Sequence, residues 1–230
     1  HEATSTVTGE NTSVVLFDMD GVLLEGHAND TAGYEVGLAR TLEEYDLTVT
    51  DAERAGLSGY KYDRAFIEAC EAVDVDPVAF YDTREHHSER WFTERVEAGA
   101  RTRYADVEVL SELAEQHRIG LVSNNYDGVV RSVVDNHDLP PFEFVRGRDP
   151  GVEGFRRRKP DPHYLEEALG ALGARTGIYV GDRETDVLAA ERAGLDAAFL
   201  EREHNSATSL GIAPTVTLSS LEELREYLRA

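Results

Sequence analysis

The chain has 230 residues, 41% of them apolar, which is enough for one globular domain or for one domain with an insertion. Its 45 acidic residues outnumber its 23 basic residues, and the net charge of −22 predicts that it binds neither nucleic acid nor an anionic membrane. No run approaches the roughly 18 consecutive apolar residues of a membrane span, and residues 1–11 lack the pattern of a signal peptide.

The cysteine and lysine contents point to the cellular setting. Cys70 is the only cysteine, so an internal disulfide is impossible and a reducing cytoplasm is expected. Lys61 and Lys159 are the only lysines, and all other basic residues are arginines. Acidic residues occur along the whole chain, and molar salt would screen their repulsion because the Debye length then falls to about 3 Å. We therefore expect a salt-rich cytoplasm, as in a halophilic archaeon; the alternative is a merely acidic mesophilic protein.

Short β-branched runs alternate with amphipathic helices, a pattern typical of a parallel α/β sheet. The predicted strands are residues 13–17, 119–123, 143–146, 177–181, 197–200 and 215–218. Between the third and fourth strands, Leu165 and the apolar residues at i+3, i+4 and i+7 mark one helix face, with Pro162 in the first turn.

One segment, residues 25–99, breaks this alternation because it contains no convincing strand. It has the pattern of consecutive helices, with apolar faces around Leu38 and Phe66. An insertion after the first strand lies over the carboxyl ends of the strands, where open α/β sheets bind ligands. We therefore predict a core formed by residues 1–24 and 100–230, and a helical cap formed by residues 25–99.

The first strand ends in Asp18-Met19-Asp20-Gly21. Two acids at i and i+2 can face one site if the chain turns there, and Gly21 permits such a turn. A carboxylate is a competent nucleophile toward phosphorus and would form an aspartyl-phosphate. The second acid could protonate the leaving oxygen and later activate water. In so acidic a chain, the alternative is two surface acids.

The second predicted strand is followed by Ser123 and Asn124. A small hydroxyl at a strand end, followed by a loop, is suited to hold a phosphate oxygen. The alternative is a loop in which both side chains satisfy their own backbone.

The densest basic run of the chain ends at Lys159 and is followed by Pro160. A lysine near a nucleophilic carboxylate and a phosphate would neutralise the charge that develops in the transition state. A solvated charge run beside a helix is the alternative, but the near absence of lysine elsewhere favours a role for Lys159.

The fourth strand leads into Gly181-Asp182, and Asp186 lies one helical turn further on. Mg²⁺ requires hard oxygen ligands and is usually held by one or two carboxylates together with waters and a substrate phosphate. The alternative is that Asp182 caps a helix and Asp186 is solvated.

In this order, the four motifs resemble those of the haloacid dehalogenase superfamily, most closely its phosphoglycolate phosphatase and phosphoglucomutase branch. The resemblance spans the whole chain, including a helical cap after the first motif. It implies a Rossmann-like core with strand order 5-4-1-2-3. It also implies a Mg²⁺-dependent phosphomonoester hydrolase that acts on a small phosphorylated metabolite similar to phosphoglycolate.

The resemblance assigns the chemical step to three residues. Asp18 would be the nucleophile and also a metal ligand. Asp20 would be the general acid and base, with its backbone carbonyl on the metal. Lys159 would pair with Asp18 and with the phosphate.

It assigns binding roles to four further residues. Ser123 and Asn124 would bind the phosphoryl group. Asp182 would ligate Mg²⁺ directly, and Asp186 would do so directly or through a water molecule.

Residues 56–64 are predicted to connect two cap helices. In the resembled branch, the corresponding loop reaches the active site and contacts the leaving group of the substrate. Lys61 and Arg64 could then hold a second anionic group, such as a carboxylate or another phosphate. The alternative is a helix connection whose charges face solvent.

Three other functions compete with the phosphatase. A dehalogenase expels halide without a proton donor and lacks the second acid, so Asp20 argues against it. A phosphomutase keeps all four motifs and remains open. A non-enzymatic receiver domain phosphorylated on aspartate is much shorter, and the cap and Asp20 count against it. The sequence predicts neither the individual substrate nor the oligomeric state.

Overall fold

The computed structural model describes residues 13–26 and 31–230. Residues 1–12, where no signal peptide is expected, and residues 27–30, within the predicted cap, lie outside the described residues. The strands are β1 Ser13–Phe17, β2 Arg118–Tyr126, β3 Phe144–Arg148, β4 Thr176–Gly181, β5 Asp196–Leu200 and β6 Val216–Leu218. The α-helices are α1 Thr31–Glu44, α2 Asp51–Leu57, α3 Arg64–Ala72, α4 Pro77–Glu97, α5 Val109–Gln116, α6 Asp127–Asn136, α7 Val152–Arg156, α8 His163–Leu172, α9 Glu184–Arg192 and α10 Leu221–Arg229.

The strands form one parallel sheet in the order β3-β2-β1-β4-β5-β6. From the opposite edge, this is the predicted order 5-4-1-2-3 with β6 added outside β5. The α/β fold class is therefore confirmed. Phe17, the last residue of β1, pairs with Leu121 of β2 and with Val180 of β4. The carboxyl ends of these three central strands consequently meet at one edge of the sheet.

Helices cover both faces of the sheet, because β1 is apolar on both sides. Val15 and Phe17 pack into the cluster that contains α5, α6 and α10, whereas Val14 and Leu16 pack into the cluster that contains α8 and α9. Each of these four side chains is at most 2% exposed. Full burial of such a side chain stabilises the fold by about 1.5–3 kcal/mol, so β1 anchors the residues that follow it.

Two strands run past their predicted ends. β2 continues to Tyr126, and β3 continues to Arg148, with which Tyr126 pairs after a register shift. This pairing is between distant segments, so local periodicity does not show it. The extensions carry Asn124, Asn125 and Arg148 to the carboxyl edge of the sheet. A smaller difference is that Pro162 precedes α8 as its N-cap.

The segment 31–97 is helical, as the sequence predicts, and α1 packs along α4. Thr50, Asp63 and Asp76 begin α2, α3 and α4 by accepting a backbone N–H on their side chains. Gly37 allows the close approach of α1 to α4, since a Cβ there would lie 2.1 Å from Ser88 Oγ. None of the helices in residues 31–230 has both the length and the apolar character needed to cross a membrane.

Candidate active site

The loop after β1 holds Asp18 at the centre of the carboxyl edge. The Asp18 N–H donates to the carbonyl of Val180, 2.9 Å away, and so continues the ladder between β1 and β4. The chain then turns through Gly21, which has a φ of +77°. A Cβ on Gly21 would lie 2.1 Å from Asp182 Oδ2. Glycine is therefore required there both by the backbone conformation and by the close approach of Asp182.

Lys159 lies between two of the predicted acids. Its Nζ is 3.2 Å from Asp18 Oδ1 and 2.7 Å from Asp186 Oδ1, and it donates to Tyr179 Oη at 2.5 Å. Burial alone would lower the pKa of Lys159, but the carboxylates of Asp18 and Asp186 outweigh that effect and raise it. The ammonium group therefore stays charged beside the candidate nucleophile.

Asn124 holds the backbone of this lysine. Its side-chain Oδ1 accepts from the Lys159 N–H at 2.8 Å, and its Nδ2 donates to the Lys159 carbonyl at 3.2 Å. Ser123 Oγ accepts from the Asn125 N–H at 3.0 Å. The end of β2 thus positions Lys159 as well as lining the site.

Asp18, Asp182 and Asp186 form a buried carboxylate cluster, with one oxygen of each within 4.8 Å of the others. Burial, followed by the charges of neighbouring acids, raises the pKa of Asp18 well above its usual range despite the opposing effect of Lys159. Burial and the charge of Asp186 raise the pKa of Asp182 to about 7. A divalent cation would favour the ionised forms of these groups.

Asp182 and Asp186 differ in how many of their oxygens are free to ligate a metal. Asp182 Oδ1 is buried and has no hydrogen-bond partner among the described residues, an arrangement that is costly unless a cation lies there. Both oxygens of Asp186 are engaged: Oδ1 by Lys159, and Oδ2 by the N–H groups of Asp182 and Arg183, each at 3.0 Å. The hard oxygen donors and the partnerless oxygen fit Mg²⁺.

Sequence reasoning missed the residues that orient Asp182. They come from the 3₁₀ turn Glu203–Asn205, which follows β5. His204 Nε2 lies 2.7 Å from Asp182 Oδ2, and Asn205 Nδ2 donates to the Asp182 carbonyl at 2.9 Å. Their position just beyond a predicted strand was the only available signal.

Sequence reasoning also missed the partners of Asp20. Arg101 Nη2 donates to Asp20 Oδ1 at 2.7 Å, and Asn125 Nδ2 donates to Asp20 Oδ2 at 3.1 Å. Arg101 lies on the return connection from α4, where the Glu25 N–H donates to the Thr102 carbonyl. The two connections between the helical segment and the sheet are therefore paired beside Asp20.

One cavity of about 740 Å³ lies above these groups. Of the residues singled out from the sequence, those that line it are Asp18, Asp20, Ser123, Asn124, Lys159 and Asp186. The helical segment contributes Thr31, Tyr34, Glu35, Ser58, Gly59, Tyr60 and Phe92. Arg148, Arg158 and Arg183 add positive charge to the wall.

The two predicted cap cations, Lys61 and Arg64, are not among the lining residues. Both are exposed, and Arg64 pairs with Glu68 of its own helix at 2.7 Å. The loop between α2 and α3 instead presents Ser58, Gly59 and Tyr60 to the cavity.

Comparison with known proteins decides the family. The sequence pattern of haloacid dehalogenase-like hydrolases matches residues 12–194. The chain belongs to this family. This hydrolase is 29% identical over 225 residues to a phosphoglycolate phosphatase of Cereibacter sphaeroides, a match that covers 94% of this chain and 97% of that protein.

A second curated protein and a solved structure are also similar to this chain. A pyrimidine 5'-nucleotidase of Escherichia coli is 29% identical over 125 residues, which are 53% of this hydrolase and 54% of that protein. Among solved structures, CbbY from Rhodobacter sphaeroides, in complex with xylulose-(1,5)bisphosphate, aligns with a TM-score of 0.62 at 14% identity. That alignment covers 93% of this chain and 96% of the other, and it shows a shared fold.

Proposed function

We propose that this hydrolase cleaves a small phosphomonoester in a Mg²⁺-dependent reaction that passes through a phosphorylated Asp18. The observation that carries the proposal is the position of Asp18. Its carboxylate lies beside a charged lysine and two further buried acids, in the wall of a cavity that also contains Asp20 and Ser123. The charge of Lys159 favours the ionised form of Asp18, which is the form that attacks phosphorus.

In the first step, the carboxylate of Asp18 attacks phosphorus and the bond to the leaving oxygen breaks. Asp20, whose two oxygens accept from Arg101 and Asn125 in the structure, first takes up a proton and then gives it to that oxygen. In the second step, Asp20 takes a proton from water, which attacks the phosphoryl group and regenerates Asp18. Lys159 neutralises negative charge on the phosphoryl oxygens in both steps.

Mg²⁺, when bound, would further shield the charge of the phosphate and orient it. Asp18, Asp182 and the backbone carbonyl of Asp20 are the proposed direct ligands. Asp186 is proposed to act through water, because its two oxygens already accept from Lys159 and from two backbone N–H groups. Ser123 is proposed to donate its hydroxyl to the phosphoryl group.

The two connections beside Asp20 mark the boundary between two proposed parts of the chain. We propose that residues 1–24 and 100–230 form the catalytic core and that residues 25–99 form a cap. The core supplies the acids and Lys159, whereas the cap supplies Tyr34, Tyr60 and Phe92 to the cavity. The name of the Cereibacter relative supports a substrate similar to phosphoglycolate.

The test compares Asp20→Asn with Asp18→Asn on p-nitrophenyl phosphate in the presence of Mg²⁺. This leaving group needs little protonation, so Asp20→Asn should complete the first step and stall at the second. Intact-mass spectrometry should then detect one added phosphoryl group on Asp20→Asn and none on Asp18→Asn. A wild-type protein that becomes stably phosphorylated without releasing phosphate would be a receiver and would contradict the proposal.

A further inference from the structure

The positive charges in the cavity wall differ in whether they have a partner. Lys159 is paired with Asp18 and Asp186, and Arg148 is paired with Glu85 at 2.8 Å. Arg183 also has a partner. The guanidinium group of Arg158 makes no hydrogen bond and no ion pair with any residue in 13–26 or 31–230, although the chain carries 45 acids.

Arg158 is nevertheless held in place by aromatic rings. Its guanidinium carbon lies 3.8 Å from the centre of the Phe155 ring and 5.4 Å from that of Tyr60. Stacking of this kind uses the face of the guanidinium group and leaves the N–H groups in its plane for an acceptor. Arginine in that state is suited to bind a carboxylate or a phosphate through two parallel hydrogen bonds.

Arg158 lies in the wall of the same cavity as the candidate nucleophile, where its unused N–H donors can contact a bound substrate. Arg158 directly precedes Lys159, and both residues line the cavity that contains Asp18. Tyr60, which faces Arg158, belongs to the loop between α2 and α3. A substrate whose phosphate lies at Asp18 would therefore present its remaining atoms to a fixed cation at the boundary between the sheet and the helical segment.

We propose that Arg158 binds a second anionic group of the substrate, a carboxylate or a second phosphate, and thereby determines specificity. This inference rests on the proposed phosphohydrolase function and gives to Arg158 the role that the sequence suggested for Lys61 and Arg64. The substrate is then a phosphomonoester that carries another anion and fits within this cavity.

The neighbouring arginines provide matched controls. Arg157 and Arg156 belong to the same basic run but do not line the cavity, and each lies within 4 Å of a Glu153 carboxylate oxygen, at 3.5 Å and 3.8 Å. Arg157→Gln therefore removes the same charge from almost the same place without changing the cavity wall.

The kinetic experiment compares Arg158→Gln, Arg158→Lys and Arg157→Gln on three substrates: phosphoglycolate, a sugar bisphosphate and p-nitrophenyl phosphate, which has no second anion. For Arg158→Gln we expect kcat/KM to fall by about 10- to 100-fold on the anionic substrate that fits, the effect of losing one charged hydrogen-bond pair. The loss should be less than twofold on p-nitrophenyl phosphate. Arg158→Lys should retain part of the activity, and Arg157→Gln should match the wild type.

Equal losses on all three substrates would indicate a structural role of Arg158 and would overturn the inference, as would no loss on either anionic substrate. The larger loss, on phosphoglycolate or on the bisphosphate, identifies the anion as a carboxylate or a phosphate. If the wild type hydrolyses none of the three substrates, the result contradicts the proposed phosphohydrolase function and leaves the role of Arg158 to be tested by ligand binding.

A binding measurement keeps the inference testable in that case. The wild type should bind phosphonoacetate about 10- to 100-fold more tightly than methylphosphonate, which lacks the carboxylate. Arg158→Gln should bind the two ligands equally, whereas Arg157→Gln should keep the preference. A preference that survives in Arg158→Gln would contradict the assignment of a carboxylate to Arg158.

Discussion

A buried ion pair joins the helical segment to the sheet, and its disruption has a measurable cost. Glu85 of α4 is 1% exposed, and its Oε1 accepts from Arg148 of β3 at 2.8 Å. Its other oxygen accepts from the hydroxyl of Tyr126, and the Arg148 guanidinium stacks 4.5 Å from the centre of the Tyr126 ring. The substitution Glu85→Gln removes the negative charge but keeps an acceptor for the tyrosine.

The loss of stability in Glu85→Gln is set by the charge of Arg148, which remains buried without its partner. Removing one partner of a buried pair leaves the other charge uncompensated and costs about 3–5 kcal/mol. Since glutamine retains the hydrogen bond from Tyr126, we expect the lower end, about 3 kcal/mol. A chain of this size loses about 2–4 °C in Tm for each kcal/mol, so Glu85→Gln should lower Tm by roughly 6–12 °C.

Circular dichroism and the fluorescence of Trp91, the only tryptophan, report the unfolding of the sheet and of α4. Glu94→Gln is the control on the same helix. Glu94 is 48% exposed and pairs with Arg90 and Arg40, and such surface pairs contribute about 0–1 kcal/mol. Replacing both charges of the buried pair, in Glu85→Gln with Arg148→Met, should restore much of the lost stability.

A Tm for Glu85→Gln equal to that of Glu94→Gln would refute the reasoning, because it would mean that Arg148 finds water or another partner. A double variant less stable than Glu85→Gln would also contradict it, since no uncompensated charge would then remain.

The remaining predictions concern catalysis, metal, the thiol and salt. Asp18→Asn should abolish phosphate release while circular dichroism stays unchanged, and Asp20→Asn should slow release by about 10²- to 10⁴-fold; near-wild-type turnover by folded Asp18→Asn would exclude the mechanism. EDTA should abolish phosphatase activity, and added Mg²⁺ should restore it. Ca²⁺ should inhibit the reaction because its coordination shell is larger and looser than that of Mg²⁺. By calorimetry, Asp182→Ala should weaken Mg²⁺ binding more than Asp186→Ala, since Asp182 Oδ1 has no partner among the described residues whereas both oxygens of Asp186 do; full activity in EDTA would refute the metal site. Burial raises the pKa of Cys70 to about 11, so its labelling by a thiol reagent should be slow at pH 8 and should accelerate as pH rises toward that value; rapid labelling of the native protein at pH 8 would contradict this. Activity and helicity should persist in molar KCl and decline at low salt, where 45 acids repel one another unscreened; equal stability at both salt levels would remove the halophilic interpretation.

The sequence by itself determined the features that depend on neighbours along the chain. Alternating β-branched runs and helical faces predict a parallel sheet because side-chain periodicity is a local property. Asp18 and Asp182 were recognisable because a polar residue directly follows an apolar strand, and Lys159 because lysine is otherwise almost absent. The order of these motifs along the chain carried the family resemblance.

Only the tertiary structure decided which charges meet. Arg101 contacts Asp20 across 81 positions, and His204 contacts Asp182 across 22. The cations that line the cavity also depend on packing: Lys61 is exposed and does not line it, whereas Phe155 and Tyr60 hold Arg158 in its wall. Such contacts depend on where distant segments lie in the folded chain, and a charged residue has the same local pattern whether it faces solvent or a substrate.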